Sequence, residues 1–424
     1  MRKILQYILK ILSKIIIWKY DPEIIAITGS VGKTNTREAI YRVLKKQFRV
    51  RRNIKNYNNE IGVPLTILGQ DLSPEMKFSS LFSWLKIFLK AGLTIIWDNN
   101  YPEILILEMG VAEPGDMEYL LSFIPVKVGI FTAIGEFPSH IEFFPEKGKL
   151  VEEKALLVKS LGDDGLAVMN YDDLTVRMVG DDLPKQIKTM YYGFGYGADL
   201  RINNYETKIN DLEKSNFGVS FKIEYKGSIM PIKLSKIIGK QKVYAAAAAA
   251  AVGLHYGLNL VEISSVLIKL RSVPGRVNLI KGIKKTYIID DTYNASPLST
   301  IVALELMREI SSERKIAVLG DMLELGIYTE QGHQQVGEKA AEIADIIFTV
   351  GDKARFIAYE AEKRGFPKDK IFRFSTSDEA KLKVQDEIKQ GDIVLVKGSR
   401  RMRMEKIVKE IMDEPKKAEK LLIS

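Results

Sequence analysis

Ile24-Ile25-Ala26-Ile27-Thr28-Gly29-Ser30-Val31-Gly32-Lys33-Thr34 is the stretch on which the reading of this chain turns. Four apolar residues end at a glycine-rich turn, and a helical pattern then runs from Thr34 to Lys46, so the order is strand, tight turn, helix. Glycines let the backbone curl until successive amide hydrogens face the same way, and a helix N-terminus adds positive potential. Together they make a cradle for phosphate oxygens. Lys33 is placed to meet β and γ phosphates, and the Thr34 hydroxyl to bind magnesium. Thr28, Gly29, Ser30, Val31, Gly32, Lys33 and Thr34 are therefore candidate nucleotide-binding residues. The generic P-loop pattern has glycine where Ile27 stands, so the match is a variant of it.

Outward from this turn, apolar strands are expected at Ile104 to Leu107, Val128 to Phe131 and Ala167 to Met169, with helical stretches between them. Such alternation predicts an α/β fold with a mostly parallel sheet. From about Lys188 to Leu234 the pattern alternates and carries turn signals at Tyr196-Gly197 and Lys226-Gly227, which predicts a small antiparallel section. The run Ala245 to Ala251 reads as a helix whose small side chains allow close packing. After Pro274-Gly275 a second alternation begins, with strands expected at Tyr287 to Ile289, Lys315 to Leu319, Ile346 to Val350 and Ile393 to Val396. The chain thus divides into an N-terminal helix (1–22), a P-loop ATPase-type central domain (23–273) and a Rossmann-like α/β C-terminal domain (274–424).

The 424 residues exceed one ordinary core, and 46% hydrophobic with 28% charged residues fits a folded globular chain. The absence of cysteine excludes disulfides, Cys-ligated zinc and thiol catalysis, and is compatible with a reducing cytoplasm. A net charge of +9 favours anionic partners: nucleotides, a membrane surface or nucleic acid. No nucleic-acid module accompanies that charge, so no nucleic-acid partner is expected.

Residues 1–20 place Ile4, Leu5, Ile8, Leu9, Ile11, Leu12, Ile15 and Ile16 at helical spacing among Lys3, Lys10, Lys14 and Lys19. This basic amphipathic helix is too often interrupted by lysine to span a membrane, and no small-residue cleavage site follows it. It fits equally a helix lying on an anionic membrane face and a helix packed on its own protein. The apolar, aromatic stretch from Phe78 to Trp97 reads as core, as an interface with that helix, or as a second membrane-contacting surface.

Leu107-Glu108-Met109-Gly110 sets a carboxylate at the end of a buried strand, where open α/β sheets bind ligands. With Thr34 it supplies the hard oxygens that magnesium prefers. His140 is one of three histidines, and Lys154 stands in the charged helical run Glu152-Glu153-Lys154. From spacing alone Lys154 is a solvated lysine.

Taken together, these motifs resemble the Mur ligase family, and within it the D-Ala-D-Ala-adding enzymes. The resemblance rests on Thr28 to Thr34, Asn56-Tyr57-Asn58-Asn59-Glu60-Ile61-Gly62-Val63-Pro64, Glu108, Ser139-His140-Ile141-Glu142 and Glu153-Lys154-Ala155. It continues through Pro274-Gly275-Arg276, Asp290 to Pro297, Leu319 to Gly326 and Val396 to Arg400, so it covers about Ile24 to Met404. It implies an ATP-dependent, carbon–nitrogen bond-forming ligase that works through an acyl phosphate in peptidoglycan synthesis, adding D-Ala-D-Ala to a UDP-MurNAc-tripeptide. Catalytic roles then fall to Lys33, Asn59, Glu108, His140 and Lys154, with Arg276 on phosphate and Asp291 near the ribose and γ-phosphate.

Two magnesium ions are implied, held by Thr34, Glu108, His140 and a carbamylated Lys154. Carbamylation matters because a plain ammonium beside a dication is repelled by about 4 kcal/mol per unit charge at ~4 Å and an effective dielectric of ~20.

Two departures qualify the resemblance. The family's Gly-x-His-Asn-x-x-Asn-Ala reads here Gly239-Lys240-Gln241-Lys242-Val243-Tyr244-Ala245-Ala246, so the asparagine expected to meet adenine is Ala245. The family's own N-terminal domain, which grips the uridine nucleotide, is expected to be missing. The missing domain leaves open a related ligase acting on another peptide, a polyglutamate or a lipid-linked precursor, and the basic helix with the Ala245 change leaves open a non-catalytic, nucleotide-gated membrane scaffold. The expected location is the cytoplasm, with the inner membrane face available to residues 1–20.

Overall fold

The structure, a computed structural model, describes residues 2–54, 57–70, 81–211 and 216–423. Asn56 of the asparagine-rich segment and residues 78–80 of the apolar stretch lie outside the described residues.

The first sheet contains β1 (Glu23–Thr28), β2 (Val50–Arg52), β3 (Ile104–Glu108), β4 (Val128–Phe131), β5 (Leu166–Asn170), β6 (Lys188–Gly193), β7 (Leu200–Asp211), β8 (Asn216–Tyr225) and β9 (Ser228–Ser235). Their order is β2-β3-β1-β4-β5-β6-β7-β8-β9. Pairing is parallel as far as β7 and antiparallel through β8 and β9, so the expected antiparallel section is present but begins after Lys188–Gly193, which pairs parallel on both sides as β6. β1 reads as a continuous apolar run because both of its faces are covered. Ile24 and Ala26 enter one core, and Ile25 and Ile27 the other.

The first of these cores is roofed by α1 (Arg2–Tyr20), α3 (Gly62–Ile67), α4 (Leu81–Trp97) and α6 (Lys147–Lys159). The second lies under α2 (Lys33–Leu44), α8 (Lys240–His255) and α9 (Leu260–Leu267). Between them in the chain come α5 (Asp116–Leu121) and α7 (Leu174–Asp181). The alanine run belongs to α8 and is buried throughout, so α8 lies close along α2. The α1 helix buries Leu9, Ser13, Ile16 and Ile17, which satisfies the reading of a helix packed on its own protein for one of its faces.

A second sheet holds β10 (Asn278–Lys281), β11 (Tyr287–Asp291), β12 (Lys315–Gly320), β13 (Ile346–Val350), β14 (Ile371–Phe374) and β15 (Ile393–Lys397), in the order β10-β11-β15-β12-β13-β14. Only β10 runs antiparallel. The carboxyl ends of β1 and β3 carry the glycine-rich loop and Glu108, and those of β11 and β15 carry Asp291 and Lys397. Residues of both groups line one polar cavity, and Arg276, which precedes β10, crosses to the first sheet's side by donating to Thr34 Oγ1.

Candidate nucleotide and metal site

The loop between β1 and α2 has the conformation its glycines permit. Gly29 has φ 136° and Gly32 φ 96°, values that L side chains rarely adopt, and a Cβ at Gly29 would lie 2.1 Å from Thr132 Oγ1. Thr132 Oγ1 donates to Val31 O (2.7 Å), while Ser30 N and Val31 N donate to Ala133 O (2.6 and 3.2 Å). The end of β4 thus pins the loop. The amides that open α2 have no carbonyl a turn earlier to receive them, so they are free for an anion. Lys33 Nζ folds back to Gly29 O (2.5 Å), and burial lowers its pKa despite the opposing pull of Glu108.

Glu108 is buried at the end of β3 and takes hydrogen bonds from several directions. Thr34 Oγ1 donates to Oε2 (3.1 Å), Arg37 Nη1 donates to the same oxygen (3.1 Å), and Asn58 Nδ2 lies 3.3 Å from Oε1. Asn53, fully buried, clamps the Glu108 backbone through both its amide and its carbonyl (2.9 Å each). Asn59, the asparagine expected near phosphate, is exposed and caps α3, its Oδ1 accepting from Gly62 N (2.9 Å). Its neighbour Asn58 is the one that reaches Glu108.

Lys154 is not the solvated lysine that spacing suggests. It is 1% exposed, because α6 turns it into the core beside Lys33. Burial first, and the Lys33 charge second, hold its amine well below the ordinary lysine value.

From the other sheet, Arg276 Nη2 donates to Thr34 Oγ1 (3.1 Å) and its guanidinium stacks on Tyr293, 3.6 Å from the ring centre. Asp291 accepts from the buried Lys397 Nζ (2.6 Å), which also donates to Asn294 O (2.9 Å). His140 Nδ1 stands 2.8 Å from Glu324 Oε2, an ion-pair separation without hydrogen-bond alignment.

Two cavities meet at this loop. The larger, about 520 Å³, is lined by Val31, Gly32, Asn170, Asp172, Tyr244 and Ala245 among others. The smaller is polar, about 40 Å³, and is lined by Ser30, Asn35, Arg276, Asp291 and Lys397. Gln241 borders both. Its Nε2, with Ser30 Oγ and Arg276 Nε, is buried without a hydrogen-bond partner in the protein, so the walls present polar atoms that a bound anion or nucleotide could satisfy.

The family model described as "Mur ligase middle domain" matches residues 94–253, and that described as "Mur ligase, glutamate ligase domain" matches 275–400. The UDP-N-acetylmuramoyl-tripeptide--D-alanyl-D-alanine ligase of Bacillus subtilis (strain 168) is 31% identical over 406 residues, spanning 95% of this chain and 79% of the relative. The chain belongs to the Mur ligase family. Its fold is similar to a crystal structure of MurF from Thermotoga maritima in complex with ADP, at a TM-score of 0.75 and 25% identity, with 98% of this chain and 84% of that one covered. A crystal structure of MurF from Acinetobacter baumannii shares the fold at a TM-score of 0.77 and 24% identity, over 95% of this chain and 79% of that one.

In this Mur ligase the residues quoted from the sequence divide into groups. Lys33, Thr34, Glu108, Arg276 and Asp291 converge on the loop, and Lys154 lies behind it; His140 faces Glu324 and Asn59 faces solvent. The sequence motifs contain Asn58 and Lys397 without singling them out, and leave Arg37 and Asn53 aside. Arg37 carried a usable signal, since it follows Thr34 by one helical turn and so shares its face. Asn53 carried none, for its role comes from β3 lying beside its loop.

Proposed function

We propose that this Mur ligase couples ATP cleavage to amide-bond formation, adding D-Ala-D-Ala to UDP-MurNAc-tripeptide in peptidoglycan precursor synthesis. The observation that carries the reading is the 31% identity to the Bacillus ligase, together with a glycine-rich loop, Glu108 and a buried Lys154 gathered at one site. The substrate carboxylate attacks the γ-phosphorus of ATP, ADP leaves, and the amine of the dipeptide displaces phosphate from the acyl phosphate.

The larger cavity has the volume for an adenosine, and phosphates bound on the loop would lie toward Lys33, Arg276 and the polar cavity. Ala245 lines the larger cavity with a methyl group, so polar contact with the base would come from other residues of its wall, such as Asn170, Asp172 and Tyr244. Lys33 and the opening amides of α2 bind the transferring group, and Arg276 brings charge from the second sheet. The division of the chain near residue 273 lets the two parts close on the substrates and exclude water.

Magnesium fits the oxygen pair of Thr34 and Glu108, 3.1 Å apart. Among the described residues no three His, Cys, Asp or Glu side chains converge as a ready cage, so phosphate oxygens would complete the shell. A second ion would be held by His140 and the carbamate of Lys154. The neutral amine is the form that reacts with carbon dioxide, and burial shifts Lys154 toward that form, so Lys154 suits the modification. Magnesium held by these residues would offset the phosphate charge. The reaction belongs in the cytoplasm, where ATP is available.

The test is phosphate release from ATP and magnesium with UDP-MurNAc-tripeptide and D-Ala-D-Ala added together or singly, and with Lys33→Ala as control. Release that needs both substrates and vanishes in the variant supports the reading. Release with another amine or acyl substrate alone replaces it with a related ligase.

A further inference from the structure

Both α1 and α4 bury one face in the same core and leave the opposite face bare. On α1, Ile4, Tyr7, Ile11, Ile15 and Trp18 are exposed, Trp18 by 85%. At about 100° per residue these five fall within about 80° of arc, a single stripe opposite Leu9 and Ile16. On α4, Leu85, Leu89, Leu93 and Ile96 form an equally narrow stripe opposite Ala91, with Trp97 at its edge and 69% exposed. The two helices touch near their C-terminal ends, where Tyr20 Oη donates to Thr94 O (2.6 Å) and Lys19 reaches Ile95 O. The exposed stripes therefore belong to one layer of the molecule and point away from the sheet beneath it.

Charge says what covers them. Neither helix contains an acidic residue, whereas Arg2, Lys3, Lys10, Lys14, Lys19, Lys86 and Lys90 are basic. Arg2 is taken by Glu60 and Lys10 by Ser122. Lys3, Lys14, Lys86 and Lys90 stay exposed beside the stripes. A second copy of this face would bring like charge against like charge. Among the described residues no helix is long and apolar enough to cross a membrane, so insertion to interfacial depth is the geometry that remains for an apolar stripe flanked by lysines. Exposed tryptophan at the edge of such a stripe suits the headgroup level.

We propose that α1 and α4 together form a docking surface for an anionic lipid bilayer, with the two apolar stripes inserted among the headgroups and Lys3, Lys14, Lys86 and Lys90 on the lipid phosphates. None of these residues belongs to the nucleotide site, so the proposal stands apart from the ligase reading.

The test is flotation of the full chain with phosphatidylglycerol–phosphatidylcholine vesicles against pure phosphatidylcholine, read also by tryptophan emission. Trp18 and Trp97 are two of the three tryptophans in the chain. Anionic vesicles are expected to float the protein and shift its emission to the blue. Lys14→Glu with Lys90→Glu should weaken partitioning by well over tenfold, since each lysine near an anionic surface contributes roughly fivefold. Tyr7→Asp with Leu89→Asp should abolish flotation, yet leave the melting temperature and the phosphate release with soluble substrates unchanged. Failure to float with anionic vesicles overturns the proposal. So does equal flotation on neutral ones, or a dimer in sedimentation that Tyr7→Asp with Leu89→Asp dissociates. None of these outcomes touches the ligase assay.

Discussion

His140 Nδ1 lies 2.8 Å from Glu324 Oε2, and the two residues belong to segments on opposite sides of the joint between the sheets. The contact is reinforced where Glu142 N donates to Glu324 O (3.3 Å), and His140 holds the Glu324 carboxyl below its ordinary range. A carboxylate on Nδ1 leaves Nε2 as the nitrogen that could meet a metal, and orients the ring for it. Glu324→Gln weakens that support, so the magnesium concentration that half-saturates phosphate release is expected to rise by roughly tenfold. An unchanged value would mean that the contact serves only to join the two parts of the chain.

Glu108 and Arg37 form a buried pair at 3.1 Å, with side-chain exposures of 5% and 4%. Arg37 keeps Glu38 as a second partner (3.1 Å), so Glu108→Ala leaves its charge paired but deprives Thr34, Asn58 and Arg37 Nη1 of an acceptor, and should lower unfolding stability by about 1–3 kcal/mol in urea titration. Glu108→Gln keeps the shape and a hydrogen-bond acceptor for Arg37. It should lose less stability, yet still lose phosphate release by a factor on the order of 10² to 10³ for want of a charged ligand.

Lys154 presents a buried amine beside Lys33, and burial followed by the Lys33 charge pushes its pKa well below the ordinary lysine value. Phosphate release should decline in buffer purged of carbon dioxide and recover on adding bicarbonate. Lys154→Ala should be inactive, with partial recovery in acetate, whose carboxylate can stand in for the lost carbamate. Full activity in purged buffer would remove carbamylation from the mechanism.

His333 sets the acid limit of the second sheet's domain. It is fully buried, accepts from Met322 N (3.0 Å) and contacts Thr329 O (2.6 Å), and burial pushes its pKa down to about 4 from 6.5. The unfolded chain binds the proton more readily between those values, so the stabilisation is complete above pH 6.5 and is lost as pH falls toward 4. The loss is on the order of 3 kcal/mol. Urea midpoints from pH 7 to 4 should therefore fall more steeply for the wild type than for His333→Gln, whose amide does not titrate.

The nucleotide loop was legible because its chemistry is local. Glycine, lysine and threonine at consecutive positions, between an apolar run and a helix, permit few other conformations. The parallel strands were legible for a related reason, since burial on both faces leaves an uninterrupted apolar signature. Asn59 and Asn58 could not be told apart in the same way, because one residue of rotation decides which side chain meets Glu108 and neighbouring elements set that rotation.

By itself the sequence determined the α/β architecture, the phosphate cradle and the membership of a ligase family, all of which follow from residues near one another along the chain. Only the tertiary structure decided that Lys154 is buried rather than solvated, that Asn53 and Arg37 hold Glu108, that Lys397 pairs with Asp291, and that α1 and α4 each keep one apolar face bare. Burial and pairing depend on which surfaces distant segments bring together, and in a helix that is apolar on more than one side the pattern of residues cannot say which side the core will take.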